Sequence, residues 1–470
     1  MVFSSPAFIF LFLPVFLTVY YVTPARFRNF IILVFSLTFY FVDAGALTLI
    51  LCASIVLNYF LALYLHRADG RAKNLALVIG LLLNLAPLLY YKYWMFLQRS
   101  VNDAAHLITG NRPFDVASIL LPAGISFFTF HSISYLVDIY WRKVKPATSL
   151  IDFGMYMANF PQLIAGPIVR YSEIVNVVRT RAIRMDQVYL GLFIFIIGLS
   201  KKIILADHAG VVADTIFGMP ANQLTLGYAW LGAFAYSLQI YFDFSGYTDM
   251  AIGLGRMMGF EFPQNFNQPY RSHSVTEFWR RWHMTLSRWF RDYVYIPLGG
   301  NRTGGARTFY NLFLVFFLCG LWHGAAYGFV AWGMYHGLLL IIERILLTRF
   351  GFKPSGWSGQ ALTFLLVMLG WVLFRTSSLD LAIGYLGVML GLKHAVTAPL
   401  MAYQPALDSV LFLLLGTLCA VFPSERLRAW AAQGLGLATA AQIFAMAALM
   451  AYSCMLIVVN GFNPFIYFQF

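Results

Sequence analysis

Apolar residues occupy this chain in long runs separated by short polar segments. The runs fall near residues 6–22, 29–42, 46–65, 74–91, 118–141, 150–166, 187–205, 224–247, 308–347, 359–374, 380–392, 408–422 and 439–459. A backbone inside a bilayer must satisfy its own hydrogen bonds, which leaves helices and closed barrels. The runs predict an all-α, polytopic membrane helix bundle of roughly 11 spanning helices, at about 20 apolar residues each. Runs that are short or broken by Pro and Gly are expected as re-entrant helices, packed within protein or lining a cavity. The longest polar stretch, 256–307, is too aromatic for a linker and predicts short interfacial helices. The whole chain, 1–470, reads as one integral-membrane domain. Residues 1–240 supply N-terminal spans, 241–340 a chemical core and 341–470 C-terminal spans.

Composition sharpens this picture. The chain has 470 residues, 60% hydrophobic and 11% charged, with a mean hydropathy of +0.72. Soluble domains carry about 25% charged residues. A net charge of +13 would suggest nucleic acid in a soluble protein. In a membrane protein it reflects basic cytoplasmic loops, and no nucleic-acid partner is expected. Arg26 and Arg28 follow the first run, Arg67, Arg71 and Lys73 the third, and Arg142, Lys143 and Lys145 the fifth. This alternation predicts an outward, periplasmic N-terminus and places 92–117 outside. The first run precedes the first basic residue, so it is read as a retained span. Cysteines 52, 319, 419 and 454 lie in apolar segments without CxxC spacing, which predicts neither disulfides nor a zinc site.

Candidate chemistry concentrates between 241 and 336. From Arg256 to Arg307 there are eight arginines, no lysine and three acids. Read as one helix, EFWRRWHMTLSRWF puts Trp279, Trp282, His283, Leu286, Trp289 and Phe290 on one face. Arg280, Met284, Arg288 and Arg291 fall on another. Such a helix could lie at the lipid headgroups with its arginines on anionic lipid; a histidine on the aromatic face needs a partner there. Further on, CGLWHG sets His323 beside Trp322 between glycines 320 and 324. Glycines admit close approach of another backbone, and imidazole suits proton transfer near neutral pH. A lone membrane histidine can also serve packing alone. His336, 13 residues on, is expected on an adjacent or opposite face of the same helix, in a structural role. His131 and Asp138 are two turns apart and suited to a buried polar contact. Cys319 lies one turn before His323, within reach of a thiol–imidazole pair. There is no HExxH, and no metal is expected.

The motifs LPAGISFFTFHSISYLVD (121–138), FPQLIAGPIVRY (160–171), the stretch 238–302 around WRRWH, and LWHGAAYGFVAWGMYHG (321–337) resemble the membrane-bound O-acyltransferase (MBOAT) family. The similarity is closest to its bacterial branch of polysaccharide, peptidoglycan and teichoic acid acylation. The resemblance implies a bundle around a central tunnel. It assigns the catalytic histidine to His323 and a second site histidine to His283. Trp282, Trp322 and Asp243 are expected to line or support the tunnel. It further implies acetyl transfer from a cytoplasmic donor, acetyl-CoA, across the bacterial inner membrane, with periplasmic acetyltransferase partners completing O-acetylation of an alginate- or cellulose-type exopolysaccharide. No permanently bound cofactor is implied. Arginine forks suit donor phosphates, and Arg280, Arg281, Arg288 and Arg291 are the candidates. The competing readings are acylation of peptidoglycan or teichoic acid, and a transporter of an acyl group or precursor. A transporter should show internal repeats and matched broken helices.

Overall fold

The computed structural model describes residues 2–220, 222–302, 304–376, 378–393, 403–422, 437–461 and 463–466. Among them there is helix and no strand. Seven helical stretches are long and apolar enough to cross a membrane, and three shorter apolar helices accompany them. Some stretches combine elements. Ala25–Arg67 holds α1 (Arg28–Ala44) and α2 (Thr48–Arg67), divided at Gly45 with φ +54. Gly70–Thr109 holds α3 (Gly70–Leu88) and α4 (Trp94–Thr109). Pro87 lies in the last turn of α3, and the wide turns of Leu89–Tyr93 follow it, as expected where a proline removes a backbone donor. Much of segment 92–117 is therefore helix, ending at Gly110 in the left-handed conformation that suits a C-cap.

The described chain forms two compact units. One comprises residues 1–188 and 254–263, the other 189–253 and 264–470. In the first, Phe3, Phe8, Phe12, Phe16, Phe39 and Phe160 interlock with ring centroids 5.0–6.3 Å apart. Some of the polar groups buried within it pair with one another. Asn58 and Asn84 exchange amide hydrogen bonds of 2.9 and 2.8 Å. The expected contact between His131 and Asp138 is not made. Both sit on α5 (Ile125–Tyr140), but Asp138 accepts from Ser172 Oγ at 3.2 Å and pairs with Lys143 at 3.5 Å. His131 is buried against Tyr156. Two turns along a helix set a shared face, yet Lys143 from the turn that follows and Ser172 from the short helix Tyr171–Ile174 take the carboxylate.

The second unit takes in α6 (Met185–Ser200) from Tyr189 onward, its continuation through a wide turn into α7 (Asp207–Phe217), and α8 (Leu226–Met257) as far as Gly253. Gly198 and Gly246 let α6 and α8 touch backbone to backbone; a Cβ on Gly198 would stand 2.6 Å from the Gly246 carbonyl oxygen. Beyond this crossing, Lys202 is buried and bridges Asp243 and Asp207, each at 2.7 Å. The chain then passes through the arginine-rich segment into α11 (Gly305–His323), α12 (Tyr327–Phe350) and α13 (Gly356–Arg375). The numbers α9 and α10 belong to Val275–Arg281 and Met284–Phe290 in that segment.

Candidate active site

The site begins with a break. Residues 277–290 do not form one helix: α9 ends at Arg281 and α10 starts at Met284. Between them Trp282 is extended and His283 is left-handed, with φ 43 and ψ 52. The backbone groups released there are taken up by an adjoining strand-like segment. The Asn267 N–H donates to the Arg281 carbonyl and the Met284 N–H to the Asn265 carbonyl, both at 2.9 Å. The single-helix expectation failed because periodicity cannot register a partner backbone that competes for these bonds. The burial pattern it gave persists through the break: Trp279, Trp282, His283, Leu286, Trp289 and Phe290 are all buried.

The start of α9 is fixed electrostatically. Ser274 Oγ accepts from the Glu277 N–H, and Glu277 in turn accepts from the His273 N–H at 2.8 Å. Glu343, from α12, accepts from the Val275 and Thr276 N–H groups at 2.7 and 3.2 Å. A carboxylate at a helix N-terminus satisfies orphan donors and opposes the positive end of the dipole. Burial pushes the Glu277 carboxyl up, but the His273 N–H and the Arg281 guanidinium outweigh it and hold it below its ordinary value.

His283 is fully buried. Its Nδ1 lies 3.1 Å from Asn265 Oδ1, and Phe244, Phe266 and Trp322 pack on its ring. Burial lowers the imidazole to about 3, so it is neutral at physiological pH.

His323 is the last residue of α11, where the helix gives way to extended Gly324. It is buried, with Trp322, Trp332 and Phe374 at centroid distances of 4.7, 5.0 and 5.1 Å. The two site histidines thus flank one indole, that of Trp322. Gly320 brings α11 against α12, since a Cβ there would stand 3.1 Å from the Gly333 Cα. His336 is not on the same helix as His323, because the chain breaks at Gly324–Ala326 before α12 begins. It is buried between Trp279 and Trp332. Trp282 stacks on Phe278 and packs at a tilt against Trp371 in the same aromatic body. Asp243 lies elsewhere, in the Lys202 ion pair, where it also accepts from the Ile466 N–H at 2.9 Å.

A cavity of about 490 Å³ opens beside this body. Trp279, Phe316 and Cys319 form its inner wall, and Arg280, Arg291 and Arg344 contribute cationic groups. Two of the four sequence candidates, Arg280 and Arg291, therefore line one space. Arg281 instead pairs with Glu277 at 2.7 Å, and Arg291 also holds Asp292 at 2.6 Å. Sequence reasoning gave no role to Asn265, Trp332, Phe374 or Arg344. Arg344 was findable as a charge nearly five turns past Tyr327, in an apolar helix. Asn265 carried no periodic signal.

Fold and site together define a multi-pass helical membrane protein with paired histidines buried in an aromatic body. Residues 143–379 match the sequence profile of MBOAT, the membrane-bound O-acyltransferase family. The chain is 47% identical over 390 residues to a protein of Pseudomonas aeruginosa named probable alginate O-acetylase AlgI, covering 81% of this chain and 73% of that one. It is 38% identical over 430 residues to a peptidoglycan O-acetyltransferase of Helicobacter pylori, covering 84% and 80%. A teichoic acid D-alanyltransferase of Bacillus subtilis is 33% identical over 55% of this chain and 65% of its own length. The chain belongs to the MBOAT family and is an O-acyltransferase.

Proposed function

We propose that this protein takes acetyl groups from acetyl-CoA at the cytoplasmic face of a bacterial inner membrane and passes them across for O-acetylation of an exopolysaccharide of the alginate type. The observation that carries this reading is His323, held in an aromatic box one helical turn from Cys319 on the wall of the arginine-bearing cavity. The similarity to alginate O-acetylases over four-fifths of the chain supports the substrate class. Arg280, Arg291 and Arg344 suit donor phosphates, and the apolar inner wall suits a thin acyl arm.

The chemistry follows from the groups available. His323 takes the proton of an acceptor hydroxyl as its oxygen attacks the thioester carbonyl. The tetrahedral oxyanion collapses, the carbon–sulfur bond breaks, and the thiolate leaves as thiol with the proton from the imidazolium. His283 serves the carbonyl, orienting it or stabilising developing charge. Periplasmic acetyltransferase partners then receive the group for delivery to polymer. The alternation of basic loops supports an N-terminus on the periplasmic side. The Helicobacter relative favours peptidoglycan as the second acceptor reading.

The test uses membranes bearing the full chain together with its periplasmic partners, labelled acetyl-CoA and either polymer. His323→Gln keeps hydrogen bonding but takes no proton at neutral pH. Transfer should fall about a hundredfold or more, while His336→Ala retains more activity. Full transfer by a well-inserted His323→Gln protein would remove the general-base role. Transfer to peptidoglycan fragments but not to alginate would replace the acceptor.

A further inference from the structure

The contact between Asn265 and His283 settles a question of proton placement. Three groups converge on Asn265 Oδ1: the Thr285 N–H at 3.2 Å, Thr285 Oγ1 at 2.9 Å and His283 Nδ1 at 3.1 Å. A backbone N–H only donates, so the amide atom facing it is the oxygen and not the nitrogen. Amide oxygen only accepts, so Nδ1 of His283 carries a proton toward it. In a neutral imidazole the lone pair then resides on Nε2.

The surrounding backbone is arranged to hold this pairing. His283 is one of three non-glycine residues with positive φ among the described residues, a conformation that costs on the order of 1–3 kcal/mol and persists only where its surroundings impose it. Those surroundings are largely Asn265: its carbonyl takes the Met284 N–H, and its side chain takes the two donors of Thr285. Asn265 is itself fully buried, and its Nδ2 has no hydrogen-bond partner among the described residues. An asparagine kept for packing alone would be expected to use both ends of its amide. Here only the acceptor end is used. A neutral acceptor is also the kind that orients an imidazole without drawing a second proton onto it, as a carboxylate would.

We propose that Asn265 is a positioning residue that fixes His283 as the Nδ1–H tautomer, with the lone pair of the neutral ring on Nε2. The proposal rests on the reading of His283 as a site histidine given above. It adds that one tautomer is built in before any substrate arrives.

The tautomer can be read without turnover, on the full-length protein labelled with ¹⁵N-histidine in lipid nanodiscs, with His283 assigned by its loss in His283→Gln. The expected spectrum at neutral pH has a protonated Nδ1 and an unprotonated Nε2. A protonated Nε2 with bare Nδ1 would overturn the proposal, whatever His323 does. Asn265→Leu and Asn265→Ala remove the acceptor. Each should give a mixture of tautomers and lower kcat by roughly ten- to a hundredfold, with KM for acetyl-CoA within about twofold. A kcat per inserted molecule equal to wild type, or a change confined to KM, would likewise overturn it. If neither variant inserts, the wild-type spectrum decides alone.

Discussion

Replacing Gly320 by Ala probes how closely α11, which carries His323, must approach α12. The added Cβ would stand 3.1 Å from the Gly333 Cα and nearer still to the Phe329 carbonyl oxygen. Carbon pairs prefer about 3.5–4.0 Å, and neither neighbour is a side-chain end that could swing aside. Helices α11 and α12 must therefore part by on the order of 0.5–1 Å. Overpacking of this kind costs about 1–3 kcal/mol, which a well-inserted bundle tolerates. His323 lies three residues beyond, and its box is made of Trp332 from α12 and Phe374 from α13. A displacement of about 1 Å at a reacting group costs about a hundredfold in rate. Gly320→Ala should thus insert at reduced but measurable abundance, with acetyl transfer per folded molecule down by about ten- to a hundredfold. Abundance is read by fluorescence-detected gel filtration and transfer from labelled acetyl-CoA in the same membranes. Gly305→Ala is the control, on the same helix with no atom within 4 Å of the new Cβ; it should behave as wild type. Wild-type transfer per folded molecule by Gly320→Ala would refute the reasoning, since the chemistry would then not depend on this approach.

Two further outcomes follow from the arginine segment and from the loops. Arg280→Lys should raise the apparent KM for acetyl-CoA about fivefold, equivalent to about 1 kcal/mol, because a fork becomes a point charge. Arg281→Lys should leave KM near wild type, since Arg281 is already engaged by Glu277; equal silence of both substitutions, with sensitivity to anionic lipid content, would assign the segment to lipid binding. In a background lacking the four native cysteines, single cysteines near positions 70 and 144 should resist an impermeant thiol reagent in intact cells, and one near 103 should react. Labelling at 70 or 144 from outside would invert the orientation.

Much about this protein was determined by the one-dimensional pattern. Unbroken apolar runs leave a backbone no option but helix inside a bilayer, so the all-α membrane class followed from hydropathy alone. The two histidines stood out because an imidazole amid Trp, Phe and Gly is costly unless it has partners. The MBOAT resemblance rested on the same residues, and the family match over 143–379 agrees with it. Even the buried face of 279–290 was legible, since burial tracks spacing. What hydropathy could not register was competition between segments. The backbone of 265–267 breaks the helix at His283 by taking its hydrogen bonds, and those residues show no periodicity of their own. Gly324–Ala326 divides one apolar run into two helices and so places His336 beside Trp279 rather than along the helix of His323. Asp243, expected to line or support a tunnel, is held by Lys202, 41 positions away in sequence, a pairing that no spacing announces. Each correction involves a partner distant in sequence or a backbone bond with no side-chain signature, and only the packed chain brings such groups within reach of one another.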